Sequence, residues 1–211
     1  DDNISFNQIE IFEKNKKKVK SKIINLKKIN KLSLILRKKV LNDLKKITKT
    51  RVFLKRKSHL LMGVVNMTPD SFSDGGKYNS FNKALKRIAH LKEAGAEIID
   101  IGGESTRPGS KIISQNNELQ RVKKIVKKFK KKFPKALFSI DTRKSLVMDY
   151  SIKNKVDIIN DVSCFKHDPN SLNVSKNKNV WKIIHHMQGT PQTMQINPSY
   201  GNVLLDIYDF F

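Results

Sequence analysis

The chain has few of the residues that cross-link a fold, break it up or bury it in lipid. One cysteine, Cys164, stands among 211 residues, which excludes an internal disulfide framework and suits a reducing compartment. Six prolines and nine glycines are too few for a collagen-like or low-complexity chain. No apolar run approaches the ~18 residues that a membrane span needs. The start, DDNISFNQIE, lacks the basic-then-apolar layout of a signal peptide. It also lacks an initial Met, and together with the ending at YDFF this leads us to expect a piece of a longer chain. Acidic residues are scarce as well: 19 Asp and Glu face 43 Lys and Arg, for a formal charge of +24.

That excess is uneven. Residues 1–58 hold 19 basic against 5 acidic residues, a net of +14, and the other 153 residues carry +10. Nucleic-acid binders interleave such charge with aromatic platforms or an Arg-rich readout pattern. Neither accompanies these lysines, so we read residues 1–58 as a solvated, partly helical basic extension rather than an RNA- or membrane-surface arm. Leu32, Ile35, Leu36, Val40, Leu44 and Ile47 fall near helical spacing within it.

What is present from residue 60 onward is a different texture. Short Val- and Ile-rich runs recur at 60–67, 96–103, 136–141, 156–161 and 181–187, apolar on both faces as strands of a covered parallel sheet should be. Helical patterns separate them. Residues 80–94 place Phe81, Ala84, Leu85, Ile88 and Leu91 on one side before Gly95, and residues 117–133 place Leu119, Val122, Val126, Phe129 and Phe133 on one side before Pro134. A weaker helix is expected over 143–154. Five βα units in a row predict an α/β fold with a parallel sheet. The G-x-G-x-x-G of a dinucleotide-binding sheet is missing after the first strand. Instead a polar residue closes every strand: Asn66, Glu104, Asp141, Asn160 with Asp161, and His185 with His186. Polar residues at the C-terminal ends of successive parallel strands mark the active face of a TIM (β/α)8 barrel, of which about five units are present, over 59–211.

The residue types on that face suggest a chemistry. The ionised Asp141 only accepts hydrogen bonds and suits a ligand with adjacent N–H donors; its bland alternative is to cap the next helix. Asn160 offers both a donor and an acceptor, as reading of a heterocycle needs, and with Asp161 it could equally be a turn residue. Asn66 presents a carbonyl oxygen suited to a hard cation such as Mg²⁺, or to an Asx-turn. His185 and His186 are adjacent and point to opposite faces of a strand, which disfavours a shared zinc site. Thr106 and Arg107 sit among Gly102, Gly103 and Gly109, a hydroxyl and a permanently charged fork suited to phosphate. The segment 68–76, TPDSFSDGG, packs hydroxyls, carboxylates and glycines together.

In order, MGVVNMTPDSFSDGG (62–76), DIGGESTRPGS (100–110), SIDT (139–142), IIND (158–161) and HHMQGTPQTMQ (185–195) resemble the signature blocks of the bacterial dihydropteroate synthase family. The resemblance runs from about residue 60 to the end; the first two blocks are long and specific, and residues 1–58 are outside it. It implies a barrel that condenses (7,8-dihydropterin-6-yl)methyl diphosphate with 4-aminobenzoate in folate synthesis. By likeness Asn66 would bind Mg²⁺, and Asp141 and Asn160 would grip the pterin, with Val162 and His185 in the pocket wall. Thr106 and Arg107 would lie in one mobile loop and Asp74 in another, closing over the diphosphate; Arg107, Asp141 and Asp74 would be the catalytic set. Two positions depart from the family: His185 replaces its usual Met and Cys164 its usual Gly. The family's later Asp-Pro-Gly-Phe-Gly, Ser-Arg-Lys-Ser and Arg-x-His blocks are not found after residue 195. We therefore expect a partial chain that by itself lacks full activity, with an exposed sheet edge. The partners expected are the two small-molecule substrates, with no membrane, no nucleic acid, a homodimer left open and a cytoplasmic location. The rival readings are a pterin-binding methyltransferase on the same barrel and an inactive barrel with a nucleic-acid-binding arm.

Overall fold

The computed structural model describes residues 5–15, 18–49, 52, 59–68, 77–105, 111–176 and 178–211. The chain divides into two compact units, Asp1–Ser58 and His59–Phe211.

In the first unit, β1 (Gln8–Asn15) and β2 (Lys18–Asn25) pair antiparallel, with Ile9 opposite Ile24 and Ile11 opposite Lys22. A 3-10 turn (Leu26–Lys31) follows, its start capped by the Asn25 side chain accepting from the Lys27 N–H at 2.9 Å. Helix α1 (Leu34–Ile47) completes the unit. Alternation puts Ile9 and Ile11 on one face of the ribbon, and Leu36, Val40 and Leu44 recur every four residues on the helix; these meet around Ile11, Ile29 and Val40. The apolar face expected for the helix needs correcting at two positions. Ile35 and Ile47 are exposed, at 86% and 74%. The strands were not foreseen at all, since Lys18, Lys20 and Lys22 give β2 the look of a solvated charge run.

The second unit is a parallel sheet of five strands: β3 (Met62–Asn66), β4 (Ile98–Gly102), β5 (Leu137–Asp141), β6 (Ile158–Asp161) and β7 (Trp181–Ile184). They lie side by side in chain order. A doubly wound sheet would reverse its strand order part-way, so sequential order identifies part of a (β/α) barrel wall. Helices α2 (Lys77–Glu93), α3 (Gln115–Lys132), α4 (Ser145–Lys153) and the short α5 (Ser171–Ser175) follow successive strands, and α6 (Val203–Phe210) comes after β7. Gly95 (φ +97°) closes the turn after α2, and Ser114 caps α3 by accepting from the Asn117 N–H.

One face of β3 to β6 supplies the core. Val65, Ile99, Ile101, Phe138, Ile140 and Ile159 pack against Ala84 and Ile88 of α2, Val122, Val126 and Phe129 of α3, and Val147 and Met148 of α4. Phe129 stacks on Phe138 with ring centroids 4.4 Å apart. Helix α3 comes so close to the end of β4 that a Cβ on Gly103 would lie 2.8 Å from Glu118 Cγ and 2.9 Å from Val122 Cγ1, which requires glycine there. Strands β3 and β7 form the two edges, and Val64, Trp181 and Ile184 stay between 43% and 50% exposed. Among the described residues no helix is long and apolar enough to cross a membrane.

Candidate functional site

The other face of the sheet carries the polar residues. In-register pairing sets Asn66 beside Gly102, Gly102 beside Asp141, and Asp141 beside Asn160. Paired residues of a parallel ladder point to the same side, so these four form one row at the C-terminal strand ends. Gly102 is the gap in that row. A Cβ there would lie 3.3 Å from Asp141 Oδ2 and 3.6 Å from Asn66 Oδ1, so the two oxygens converge over a residue without a side chain. That pair of hard oxygen donors suits a cation that keeps most of its own waters. Among the described residues no group of three or more His, Cys, Asp or Glu could hold a metal ion.

Asn160 is held on two sides. Its Nδ2 donates to Asp100 Oδ2 at 3.0 Å, and its Oδ1 lies 2.8 Å from Nε2 of His185. Asp100 sits two residues below Gly102 on β4, 3% exposed. Its register neighbour Ser139 is buried beside it. Burial pushes the Asp100 carboxyl above its usual range, offset in part by the Ser139 hydroxyl and then by the Asn160 amide. Asp141 is displaced further. Burial, together with the negative field of Asp100, Glu118, Asp161 and Glu104, pushes it up to about 8. N–H donors brought by a ligand would favour its ionised form.

Beneath the end of β4 lies a buried ionic network. Glu104 accepts from Arg143 Nε (2.9 Å), Lys144 Nζ (2.9 Å) and the Ile113 N–H (3.1 Å), and Lys144 also reaches Glu118 at 2.7 Å. Burial works to raise Glu104, but these donors outweigh it and hold its carboxyl below the usual range. Glu118, more deeply enclosed, is raised by burial despite Lys144. Arg121 donates to the Gly103 carbonyl at 2.9 Å. Glu104 and Ile113 stand at either end of the stretch that contains Thr106 and Arg107 in sequence, so the network ties the two ends of that stretch together.

Of the residues singled out in the sequence, the structure brings together Asn66, Asp141, Asn160 and His185. The helix-cap alternative for Asp141 does not hold. The residue before α4 is Lys144, and the side chain that accepts from the Ser145 N–H is Asp168, at 2.8 Å. Asp161, by contrast, is a turn residue: it accepts from the Ser163 N–H and Oγ and from the Phe165 N–H. Val162 lines a separate cavity of about 260 Å³ with Arg143, His167, Lys166, Met187 and Thr190, among others, and none of the row residues borders it. His186 meets the Phe210 ring edge-on, with ring centroids 4.7 Å apart. Asp74, Thr106 and Arg107 lie outside the described residues. Sequence reading missed Asp100 and the Lys144 network; a lone Asp inside the apolar run IIDIGG was the available signal, since charges are almost never fully buried without a partner.

The pterin binding enzyme family model matches residues 62–211. The dihydropteroate synthase of Haemophilus influenzae is 43% identical over 150 residues, 71% of this chain and 54% of that protein. A solved dihydropteroate synthase from Clostridium difficile, determined in the presence of pteroic acid, superposes with a TM-score of 0.67 at 36% identity, covering 76% of this chain and 58% of that one. The Xanthomonas albilineans enzyme with 4-aminobenzoic acid gives a TM-score of 0.64 at 34% identity, covering 73% and 54%. The chain spans about half the length of the curated relatives it matches. The sequential parallel strands, the polar row at their C-terminal ends and the match across residues 62–211 place this chain in the pterin binding enzyme family.

Proposed function

We propose that the chain works in dihydropteroate synthesis, binding (7,8-dihydropterin-6-yl)methyl diphosphate at the strand-end row and joining it to 4-aminobenzoate. The observation that carries this reading is the in-register row Asn66–Gly102–Asp141–Asn160, with Asn66 Oδ1 and Asp141 Oδ2 converging over Gly102. Asp141 accepts from the adjacent N–H groups of the pterin edge, and Asn160 supplies a donor and an acceptor beside it. The nucleophile is the amine of 4-aminobenzoate, already neutral, so no strong base is required. A C–N bond forms at the pterin methylene, the C–O bond to diphosphate breaks, and the amine proton passes to solvent.

Asn66 would hold Mg²⁺ through Oδ1, with Asp141 Oδ2 close by; bound there, the ion would neutralise charge building on the leaving diphosphate. Thr106 and Arg107 would add a hydroxyl and a fixed positive charge toward the same group, and Asp74 would belong to the segment that excludes water from the electron-poor methylene. The protein is read as cytoplasmic and its partners as small molecules. The test is a synthase assay of the 211-residue chain with both substrates and Mg²⁺, alongside direct binding of the pterin diphosphate. Binding that is lost in Asp141→Ala supports the reading, and a chain that binds neither substrate overturns it.

A further inference from the structure

The Asn160 amide has two N–H groups and two carbonyl lone pairs to satisfy. At 3.0 Å its Nδ2 donates to Asp100 Oδ2, and this contact fixes which way round the amide sits. Oδ1 then faces Nε2 of His185 at 2.8 Å, and that ring nitrogen must be the donor. One N–H and one lone pair are left for a ligand. Asp100 cannot meet that ligand itself: it is 3% exposed and lies one pleat repeat below the row. His185, on the exposed side, can. A methionine in its place has no hydrogen to donate.

We propose that Asp100 and His185 clamp the Asn160 amide in a single orientation, Asp100 as a positioning residue and His185 as a specificity-determining one, so that only a ring edge matching that orientation binds tightly. The inference rests on the pterin reading above and adds two residues to it. Removing Asp100 lets the amide rotate, so half of its orientations present the wrong group to the ligand. Removing the His185 donor leaves the same amide anchored at one end only.

The experiment uses the full 211-residue chain and 6-hydroxymethylpterin, followed by its fluorescence, with inorganic diphosphate plus Mg²⁺ as a second ligand. Asp100→Ala should weaken pterin binding about three- to tenfold, the worth of one hydrogen bond, while Asp100→Asn, whose amide oxygen still accepts, should stay within about threefold of the parent. His185→Met should weaken the pterin about threefold or more, and His185→Gln, which keeps a donor, should restore it. Diphosphate binding should stay unchanged in all four. The Asn160 side-chain amide resonances should move in Asp100→Ala and His185→Met. Parent-like pterin binding in both of those variants overturns the clamp, as does an equal loss of diphosphate binding, which would mark a general structural effect. Because His185 is exposed, its variants decide the matter even if Asp100→Ala fails to fold. A parent chain that binds no pterin overturns the functional reading itself, a result distinct from either.

Discussion

Replacing Asp141 by Asn should stabilise the ligand-free chain while abolishing its pterin binding. The carboxyl is pushed up to about 8 by burial and by the neighbouring Asp100, Glu118, Asp161 and Glu104, against 3.8 for the unperturbed group. An acid with a raised folded-state pKa adds most to stability below the unfolded value. That contribution is lost as pH climbs from 3.8 toward 8, because the unfolded chain releases its proton first. At pH 7 the loss amounts to a ceiling of about 4 kcal/mol by linkage. Asp141 sits at a partly open face, and solvent screening reduces the expected gain on removing it to ~1–2 kcal/mol. Asn keeps the shape and cannot ionise. Urea unfolding of both chains at pH 4, 6, 7 and 8 should therefore show little difference at pH 4 and a growing advantage for Asp141→Asn toward pH 8. An equal or lower stability of the variant at every pH would refute the electrostatic reasoning.

Three further outcomes follow from the same geometry. If the pterin binds the ionised Asp141, its dissociation constant should rise about tenfold per unit as pH falls below about 7, and isothermal titration in buffers of different ionisation enthalpy should detect proton release at pH 7; a flat profile from pH 6 to 8 contradicts this. Lys144→Ala leaves Glu104 and Glu118 buried without their shared cation and should cost about 3–5 kcal/mol in denaturant unfolding, with a result under ~1 kcal/mol counting against the network. Gly103→Ala puts a methyl against Glu118 and Val122 of α3 and should cost ~1–3 kcal/mol, read as a drop in urea midpoint at constant slope.

Much of the second unit was legible in the sequence, because both of its periodicities are strong. The five Val- and Ile-rich runs fall on β3 to β7, and the helical faces led by Ile88 and Phe129 are buried as expected. The row at the strand ends was also readable, since Asn66, Asp141 and Asn160 each close an apolar run. What could not be read was pairing across distance. Nothing local marks Asp100 as the partner of Asn160, sixty residues away, or Lys144 as the link between Glu104 and Glu118. Glu104 had no assignable role until Arg143 and Lys144 were placed beside it. The first unit failed for a different reason. Lysines at alternate positions hide the period of β2, and its pairing with β1 is decided by the Ile9, Ile11 and Ile24 contacts with α1 rather than by propensity.

The central claim is that the row of Asn66, Asp141 and Asn160 is a pterin diphosphate site. Equilibrium binding of (7,8-dihydropterin-6-yl)methyl diphosphate to the 211-residue chain, with and without Mg²⁺, tests it most directly. Saturable one-to-one binding that Mg²⁺ tightens in the parent chain but not in Asn66→Ala, and that is lost in Asp141→Ala, is the predicted result. Binding that survives both substitutions unchanged would contradict it.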